Sequence, residues 1–287
     1  MDTAVELREI TMGGMTFRCR VAGPEGGEPI VLLHGFPETS HMWVRLMADL
    51  AARGYRCLAP DQRGYSPGAR PEGVDAYRTE LLAADVIALA DACSFGRFHL
   101  VAHDWGAGVG WRAVMLYPGR IASWSALSIP HPASYNRAYR DDPDQQQRSQ
   151  YITFFQAPGV AEEAFAASDW ALLKGVWSAS DSEEVQEYVS VFTQPDALTA
   201  ALNWYRAAFG GGEGIAGAGE KVATPTLTIW GNQDTAVGRA TTLTAGEHIT
   251  GYYRFVELDA GHWLVQEAYD RVRDEVFGHI RRFPAVD

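Results

Sequence analysis

A strand-to-helix turn at Asp104 constrains the fold of this chain more than any other feature of its sequence. Residues 98–102 form a short apolar run that predicts a buried strand, and residues 105–117 have the length and spacing of a helix. A turn of the form small-x-nucleophile-x-Gly is strained and needs small residues on both sides, which Ala102 and Gly106 provide. The sequence therefore predicts an elbow that presents a carboxylate at the edge of a sheet.

The composition is that of a globular protein without export or membrane signals. With 287 residues, of which 47% are hydrophobic, the chain is long enough to bury a large core. It contains no run of roughly 18 apolar residues, which a membrane span needs, and its first residues lack the basic and apolar regions of a signal peptide. The cysteines Cys19, Cys57 and Cys93 are an odd number without metal-binding spacing, as expected for buried thiols in a reducing compartment. We therefore expect a cytoplasmic protein.

The formal net charge of −12 weighs against two classes of partner. A charge of this sign repels the phosphate backbone of nucleic acids and the surface of anionic membranes. We therefore expect no nucleic acid and no membrane as a partner.

Apolar strand-like runs alternate with helical patterns in the first part of the chain and again near its C terminus. This alternation is typical of a mostly parallel central sheet flanked by helices. The strands are predicted at 15–21, 30–34, 55–60, 98–102, 121–128, 226–230 and 252–258, and the helices at 42–52, 77–93, 105–117 and 264–281.

The alternation stops between residues 132 and 221, where helical patterns occur without convincing strands. They include a capping signal at Asp181 and Glu184 and a helix over residues 195–209. The glycine-rich residues 210–219 then read as a flexible return to the sheet. We therefore predict an α/β core in two parts, with an inserted all-helical cap domain between them. The first part of the core is residues 1–131, the cap is 132–221 and the second part of the core is 222–287.

Two serine-centred patterns match the nucleophile turn of many hydrolases, but their context excludes both. Residues 64–68 read Gly-Tyr-Ser-Pro-Gly, and Pro67 and Pro71 prevent the helix that has to follow a nucleophile. Residues 92–96 stand after a helix and before a strand, which is the reverse of the required order. Asp104 has the strand before it and the helix after it.

Two later residues complete a catalytic arrangement in the chain order nucleophile, acid, histidine. Asp234 follows the predicted strand 226–230, and His262 follows the predicted strand 252–258. Each therefore lies in a loop at the end of its own strand. We predict Asp104 as the nucleophile, His262 as the general base and Asp234 as the residue that orients His262.

A turn with the sequence His-Gly-Phe-Pro follows the apolar strand that ends near residue 33. A tetrahedral intermediate needs two backbone N–H donors held near its oxyanion. The amide of Phe36 in this turn and the amide of Trp105 at the start of the helix are predicted to supply them.

The strings HGFPE, DQRGYS, AHDWGAG, GNQD and GHW resemble those of the α/β-hydrolase fold and, within it, of the epoxide hydrolases. The resemblance covers nearly the whole chain, and the Asp-Trp pair at the elbow is its most specific part. Ala102 and Ala107 stand where members of the family usually have glycine, and both are small enough to preserve the turn. The resemblance also implies a cis peptide bond between Phe36 and Pro37.

The resemblance further implies that two tyrosines of the cap donate hydrogen bonds to the epoxide oxygen. Residues 151–159 and 203–206 resemble the segments that carry them, which assigns this role to Tyr151 and Tyr205. Tyr205 shares an apolar helical stripe with Phe209, so a purely structural role in the cap is the alternative.

An epoxide hydrolase of this kind is expected to need neither a cofactor nor a metal. The resemblance implies a small hydrophobic epoxide and water as substrates, and a vicinal diol formed through a covalent ester on Asp104. Phe36 and Trp105 are expected to line the substrate pocket. The protein is expected to be a monomer or a homodimer.

Haloalkane dehalogenase is the alternative enzyme, because that family has the same Asp-His-acid arrangement on the same fold. A departing halide needs N–H donors, and the indole of Trp105 is one candidate, with Trp170, Trp177 or Trp204 as the second. A non-catalytic small-molecule receptor of the same fold is the alternative from another class. The complete triad and the two tyrosines weigh against it.

Overall fold

The computed structural model describes residues 4–212 and 214–285. Its strands are β1 (Glu6–Met12), β2 (Met15–Ala22), β3 (Glu28–Leu33), β4 (Tyr55–Pro60), β5 (Phe98–His103), β6 (Ile121–Leu127), β7 (Thr226–Gly231) and β8 (Tyr253–Leu258). They form one eight-stranded sheet in the order β1-β2-β4-β3-β5-β6-β7-β8. β1 and β2 are antiparallel to their neighbours, and the other six strands run parallel. The predicted mostly parallel sheet is confirmed.

Helices cover both faces of the sheet and form the insertion between β6 and β7. They are α1 (Val44–Ala51), α2 (Thr79–Ala92), α3 (Trp105–Leu116), α4 (Pro132–Asp141), α5 (Pro143–Arg148), α6 (Gln150–Gln156), α7 (Val160–Ala166), α8 (Ala171–Val176), α9 (Ser182–Phe192), α10 (Ala197–Phe209), α11 (Leu264–Glu267) and α12 (Tyr269–Arg282). Helices α4 to α10 make up the insertion, and no strand falls among its described residues. No helix of the residues described is long and apolar enough to cross a membrane.

The central strands are buried because each reads as a nearly continuous apolar run. Every residue of β5 and of β6 is buried. This pattern is expected where a parallel sheet carries helices on both faces. The carboxyl ends of β3, β5, β7 and β8 therefore meet at one edge, where the loops that follow them lie close together.

Strand β1 was not predicted, and some predicted details differ in the structure. The predicted C-terminal helix is interrupted at Ala268, whose backbone angles (φ −134°, ψ 37°) are not helical, and this divides it into α11 and α12. α10 begins at Ala197 instead of residue 195, because Asp196 adopts a left-handed backbone conformation with φ 62°. Cys93 is only half-buried, unlike the two buried thiols.

The capping box at the start of α9 is confirmed. Asp181 Oδ1 accepts hydrogen bonds from the amides of Glu183 and Glu184, at 2.9 and 3.0 Å, and the Glu184 carboxylate accepts one from the Asp181 amide at 3.2 Å. The two reciprocal bonds satisfy N–H groups that the helix itself leaves unpaired.

Side-chain hydrogen bonds connect the insertion to β2 and to the loop that follows β4. Glu187 of α9 accepts hydrogen bonds from Arg18 at 2.7 Å and from Arg20 at 3.1 Å, both on β2. The indole of Trp204 donates to the Arg63 carbonyl at 3.0 Å. These bonds hold the helices of the insertion over the carboxyl edge of the sheet.

Candidate active site

Asp104 lies in a sharp turn between β5 and α3 that only small neighbours permit. Its φ of 51° and ψ of −125° are strained for a residue with a side chain. A Cβ on Gly106 would overlap the carbonyl oxygens of Leu33 and His34, and a Cβ on Gly35 would overlap the Asp104 carboxylate. The glycines therefore allow the helix and the neighbouring turn to approach the carboxylate closely.

Two backbone amides point at the Asp104 carboxylate. The Phe36 N–H donates to Asp104 Oδ1 at 2.8 Å, and the Trp105 amide at the start of α3 lies beside the same carboxylate and favours its charged form. The Phe36–Pro37 peptide bond is cis, as predicted. Both predicted oxyanion donors thus converge on the predicted nucleophile.

His262 bridges the two carboxylates that the sequence analysis selected. Its Nδ1 lies 2.7 Å from Asp234 Oδ2, and its Nε2 lies 3.3 Å from Asp104 Oδ2. Asp234 Oδ1 accepts hydrogen bonds from the amides of Ala236 and Val237, both at 2.8 Å, so its own orientation is fixed. The three side chains therefore form a connected and nearly fully buried row.

The charges of this row are coupled. Burial lowers the pKa of His262, but the carboxylates of Asp234 and Asp104 raise it more, and the net result lies well above the usual value. Burial raises the pKa of Asp104, yet the hydrogen bond from His262 and its charge lower it more, so the pKa lies below its usual range. In the free protein Asp104 is therefore a carboxylate facing a protonated imidazole.

Tyr151 of α6 and Tyr205 of α10 face Asp104 from the insertion. Their ring centroids are 6.0 Å apart, and both side chains line the same cavity as Asp104 and His262. Burial raises the pKa of both phenols well above the usual value, so both are proton donors at neutral pH. The Tyr205 ring packs edge-on against Trp105, with the ring centroids 4.9 Å apart.

The cavity over Asp104 has a volume of about 380 Å³ and an apolar wall. The residues of the insertion that line the cavity are Phe154, Phe155, Phe165, Leu172 and Val176. The apolar residues of the core that line it are Phe36, Pro37, Ala236 and Trp263. Among the described residues that line it, the ionisable groups are Asp104, His262 and the two tyrosines, and none is a lysine or an arginine. Such a site selects apolar, uncharged molecules.

A buried polar network behind His262 was not predicted from the sequence. His103 Nε2–H donates to the His262 carbonyl at 2.8 Å, and the Ser128 hydroxyl donates to the same oxygen at 3.0 Å. His103 Nδ1 lies 3.2 Å from the buried Glu38, which also accepts from Gln266 at 2.7 Å. The network fixes the backbone of the loop that carries His262. The one feature of the sequence that could have indicated this network is that Glu38 and His103 lie inside the HGFPE and AHDWGAG strings.

The described residues contain no group of three or more His, Cys, Asp or Glu side chains placed to hold a metal ion. The carboxylates of the site are instead engaged by N–H groups and by His262. The arrangement places a carboxylate, an imidazole and two phenols around one cavity.

Comparison with known proteins places the chain in a family. Residues 28–269 match the model of the α/β hydrolase fold. The chain belongs to the α/β hydrolase fold family. It is 36% identical to the AB hydrolase superfamily protein YfhM of Bacillus subtilis, over 92% of this chain and 93% of that protein.

Two further relatives are epoxide hydrolases by name. The chain is 34% identical to epoxide hydrolase A of Mycobacterium tuberculosis, over 91% of this chain and 92% of that protein. The crystal structure of epoxide hydrolase A from Mycobacterium thermoresistibile superposes with a TM-score of 0.82 at 29% identity, and the match covers 99% of this chain and 100% of that one. The expected fold and family are confirmed.

Proposed function

We propose that this protein is an epoxide hydrolase that opens epoxides to vicinal diols through a covalent ester on Asp104. The observation that carries the proposal is one cavity lined by a carboxylate nucleophile, a histidine base and two phenol donors. The names of its relatives support the same substrate class. In this proposal residues 132–221 form the cap domain, and residues 1–131 and 222–287 form the catalytic core.

In the first step Asp104 attacks one carbon of the epoxide ring and the carbon–oxygen bond of that carbon breaks. Tyr151 and Tyr205 donate hydrogen bonds to the ring oxygen, and one phenol transfers its proton as the alkoxide forms. The products of this step are a hydroxyalkyl ester on Asp104 and a tyrosinate held in the cap.

In the second step water attacks the carbonyl carbon of the Asp104 ester. His262 takes a proton from this water, and the amides of Phe36 and Trp105 stabilise the oxyanion. The intermediate expels the diol oxygen, which takes the proton from His262. The acid proton then left on Asp104 returns to His262 and restores the resting ion pair, so the net reaction consumes one epoxide and one water.

Ester formation itself prepares His262 for the second step. The negative charge of Asp104, 3.3 Å from His262 Nε2, helps to keep the imidazole protonated in the free enzyme. Esterification removes this charge and lowers the pKa of His262, so the imidazole gives its proton, through solvent, to the tyrosinate left by the first step and becomes a base. Asp234 keeps its hydrogen bond to Nδ1 and continues to orient the ring.

The charge coupling predicts a lower pKa of His262 in Asp104→Asn than in the wild type. The substitution removes a carboxylate that raises this pKa and nearly preserves the side-chain volume. NMR titration of the His262 ring measures it, and the intact mass verifies that the amide persists. Asp259→Asn, which removes an exposed carboxylate from the same loop, is the control and should leave the titration unchanged. An unchanged His262 titration in Asp104→Asn would remove Asp104 from control of the base.

The hydrogen bonds of the tryptophan indoles in the insertion weigh against haloalkane dehalogenation. The Trp177 and Trp204 indoles donate to the carbonyls of Pro37 and Arg63, both at 3.0 Å, so neither offers the second N–H donor that a departing halide needs. The phenols that face Asp104 suit a departing alkoxide, which has to gain a proton, better than a halide.

Turnover of a small panel of aryl and alkyl epoxides and haloalkanes tests the proposed function. Diol and halide are measured separately in the same reactions. The proposal expects diol from epoxides without halide from haloalkanes. Halide release without diol would support a dehalogenase, and binding without either product would support a receptor.

A further inference from the structure

A second cavity, of about 20 Å³, also borders Asp104 and shares only part of its lining with the large one. Asp104, Tyr151 and Tyr205 line both cavities. His262 lines only the large cavity, so the attacking water reaches the base from that side. The three groups that hold an epoxide in the proposed reaction therefore stand at the junction of a large chamber and a small one.

An epoxide held at this junction has its two ring carbons directed to different chambers. The ring oxygen faces the two phenols and the attacked carbon faces Asp104, so the remaining substituents extend sideways along the cavities. A cavity needs about 10–15 Å³ to accept one water-sized sphere. The small chamber thus accepts a hydrogen or a group the size of a methyl, whereas the large chamber of about 380 Å³ accepts an aryl group or a longer chain.

The far wall of the small chamber is fixed in position. Ile215 and Phe209 are both less than a tenth exposed. Asn136 of α4 clamps Ile215 with two hydrogen bonds, from its Nδ2 to the Ile215 carbonyl at 2.8 Å and from the Ile215 amide to its Oδ1 at 3.0 Å. Phe209 packs edge-on against Trp105 with the ring centroids 6.1 Å apart. These contacts hold Ile215 and Phe209 in place, so the volume of the small chamber is fixed.

We propose that this enzyme is selective for terminal apolar epoxides, and that Ile215 sets the limit on the second ring carbon. The proposal rests on the epoxide hydrolase function above. Epoxides with an aryl or alkyl group on one carbon and nothing larger than a methyl on the other fit the two chambers. Epoxides with large groups on both carbons do not. The charged groups of the two linings, Asp104 and His262, are paired with each other, so no lysine, arginine or unpaired carboxylate is left for a charged substituent.

Three epoxides that differ only on the second carbon test the size limit: styrene oxide, trans-β-methylstyrene oxide and trans-stilbene oxide. For the wild type we expect kcat/KM for trans-stilbene oxide to be lower than for styrene oxide by about 100-fold or more, because even one misplaced methylene changes discrimination by roughly 10–200-fold. The methyl compound is expected to fall between them. Comparable values for all three would overturn the size limit.

Two substitutions are expected to change the size of the substituent accepted on the second ring carbon, one upward and one downward. Ile215→Ala enlarges the small chamber and should raise the ratio of kcat/KM for trans-stilbene oxide to that for styrene oxide by about 10-fold or more. Gly108→Ala adds a methyl that would lie 3.9 Å from Ile215 Cγ2 and 3.4 Å from Trp105 Cε3, which are ordinary contacts. It should lower the ratio for trans-β-methylstyrene oxide. Each ratio is measured within one preparation, so the folded fraction cancels.

Leu243→Ala serves as the matched control because Leu243 is an exposed aliphatic residue outside both linings. Its ratios should equal those of the wild type. Ratios in Ile215→Ala equal to the wild-type ratios would overturn the role of Ile215. A wild type that hydrolyses no epoxide at all would contradict the proposed function and this inference together, whereas turnover without size discrimination contradicts the inference alone.

Discussion

His262→Gln is expected to stop the reaction at the ester on Asp104. The base acts only in the second step, so the first step needs no proton transfer to His262. Loss of general base catalysis typically slows a step by roughly 10²–10⁴-fold, which is enough for the ester to accumulate. Mass spectrometry after mixing with styrene oxide should show Asp104 carrying the mass of one epoxide, while diol release falls by the same factor.

Two controls delimit this result. Asp104→Ala should abolish the adduct, because it removes the only group that forms the ester. His248→Gln changes a histidine that stacks on His131 outside the cavity, and it should turn over without adduct. If His262→Gln turns over at the wild-type rate and no adduct forms, the roles assigned to Asp104 and His262 are wrong.

Removal of both cap phenols is expected to make ester formation nearly undetectable. Each of Tyr151→Phe and Tyr205→Phe should slow alkylation of Asp104 by about 10²-fold, and the double variant should slow it further, because an alkoxide without an acid is a poor leaving group. Both rings remain in place, so their packing against Phe155, at 5.5 and 4.9 Å between centroids, is preserved. Single-turnover alkylation rates measure the effect.

Tyr117→Phe is the matched control, since Tyr117 lies outside both cavities and should leave the alkylation rate unchanged. A double variant that alkylates Asp104 at the wild-type rate would make Tyr151 and Tyr205 structural residues of the cap. Halide release from a haloalkane by that same variant would then favour the dehalogenase alternative.

The site residues that lie in loops directly after strands could be predicted from the sequence. Asp104 and Asp234 each follow a buried strand, and His262 follows the partly exposed strand β8. Parallel strands place their carboxyl ends at one edge, so chain order and the strand patterns sufficed to bring the three residues together. The two tyrosines came instead from a resemblance, since helical periodicity alone does not tell a phenol over the nucleophile from one in the cap core.

Features that depend on tertiary contacts were missed. Strand β1 is mostly exposed and owes its conformation to seven residue pairs with β2 rather than to an apolar pattern of its own. The Glu38–His103 network requires two segments that are far apart in the chain. The glycine-rich return was predicted to be flexible, but Asn136 fixes Ile215 within it, which is what closes the small chamber.

A single turnover in oxygen-18 water, with enzyme in excess over epoxide, tests the covalent reaction most directly. In the proposed reaction the second oxygen of the diol comes from the Asp104 carboxylate, because water attacks the ester carbonyl and not the epoxide carbon. We predict an unlabelled diol from this first turnover and one oxygen-18 atom in the peptide that contains Asp104. A diol that carries the label in its first turnover, with an unlabelled Asp104, would contradict the account.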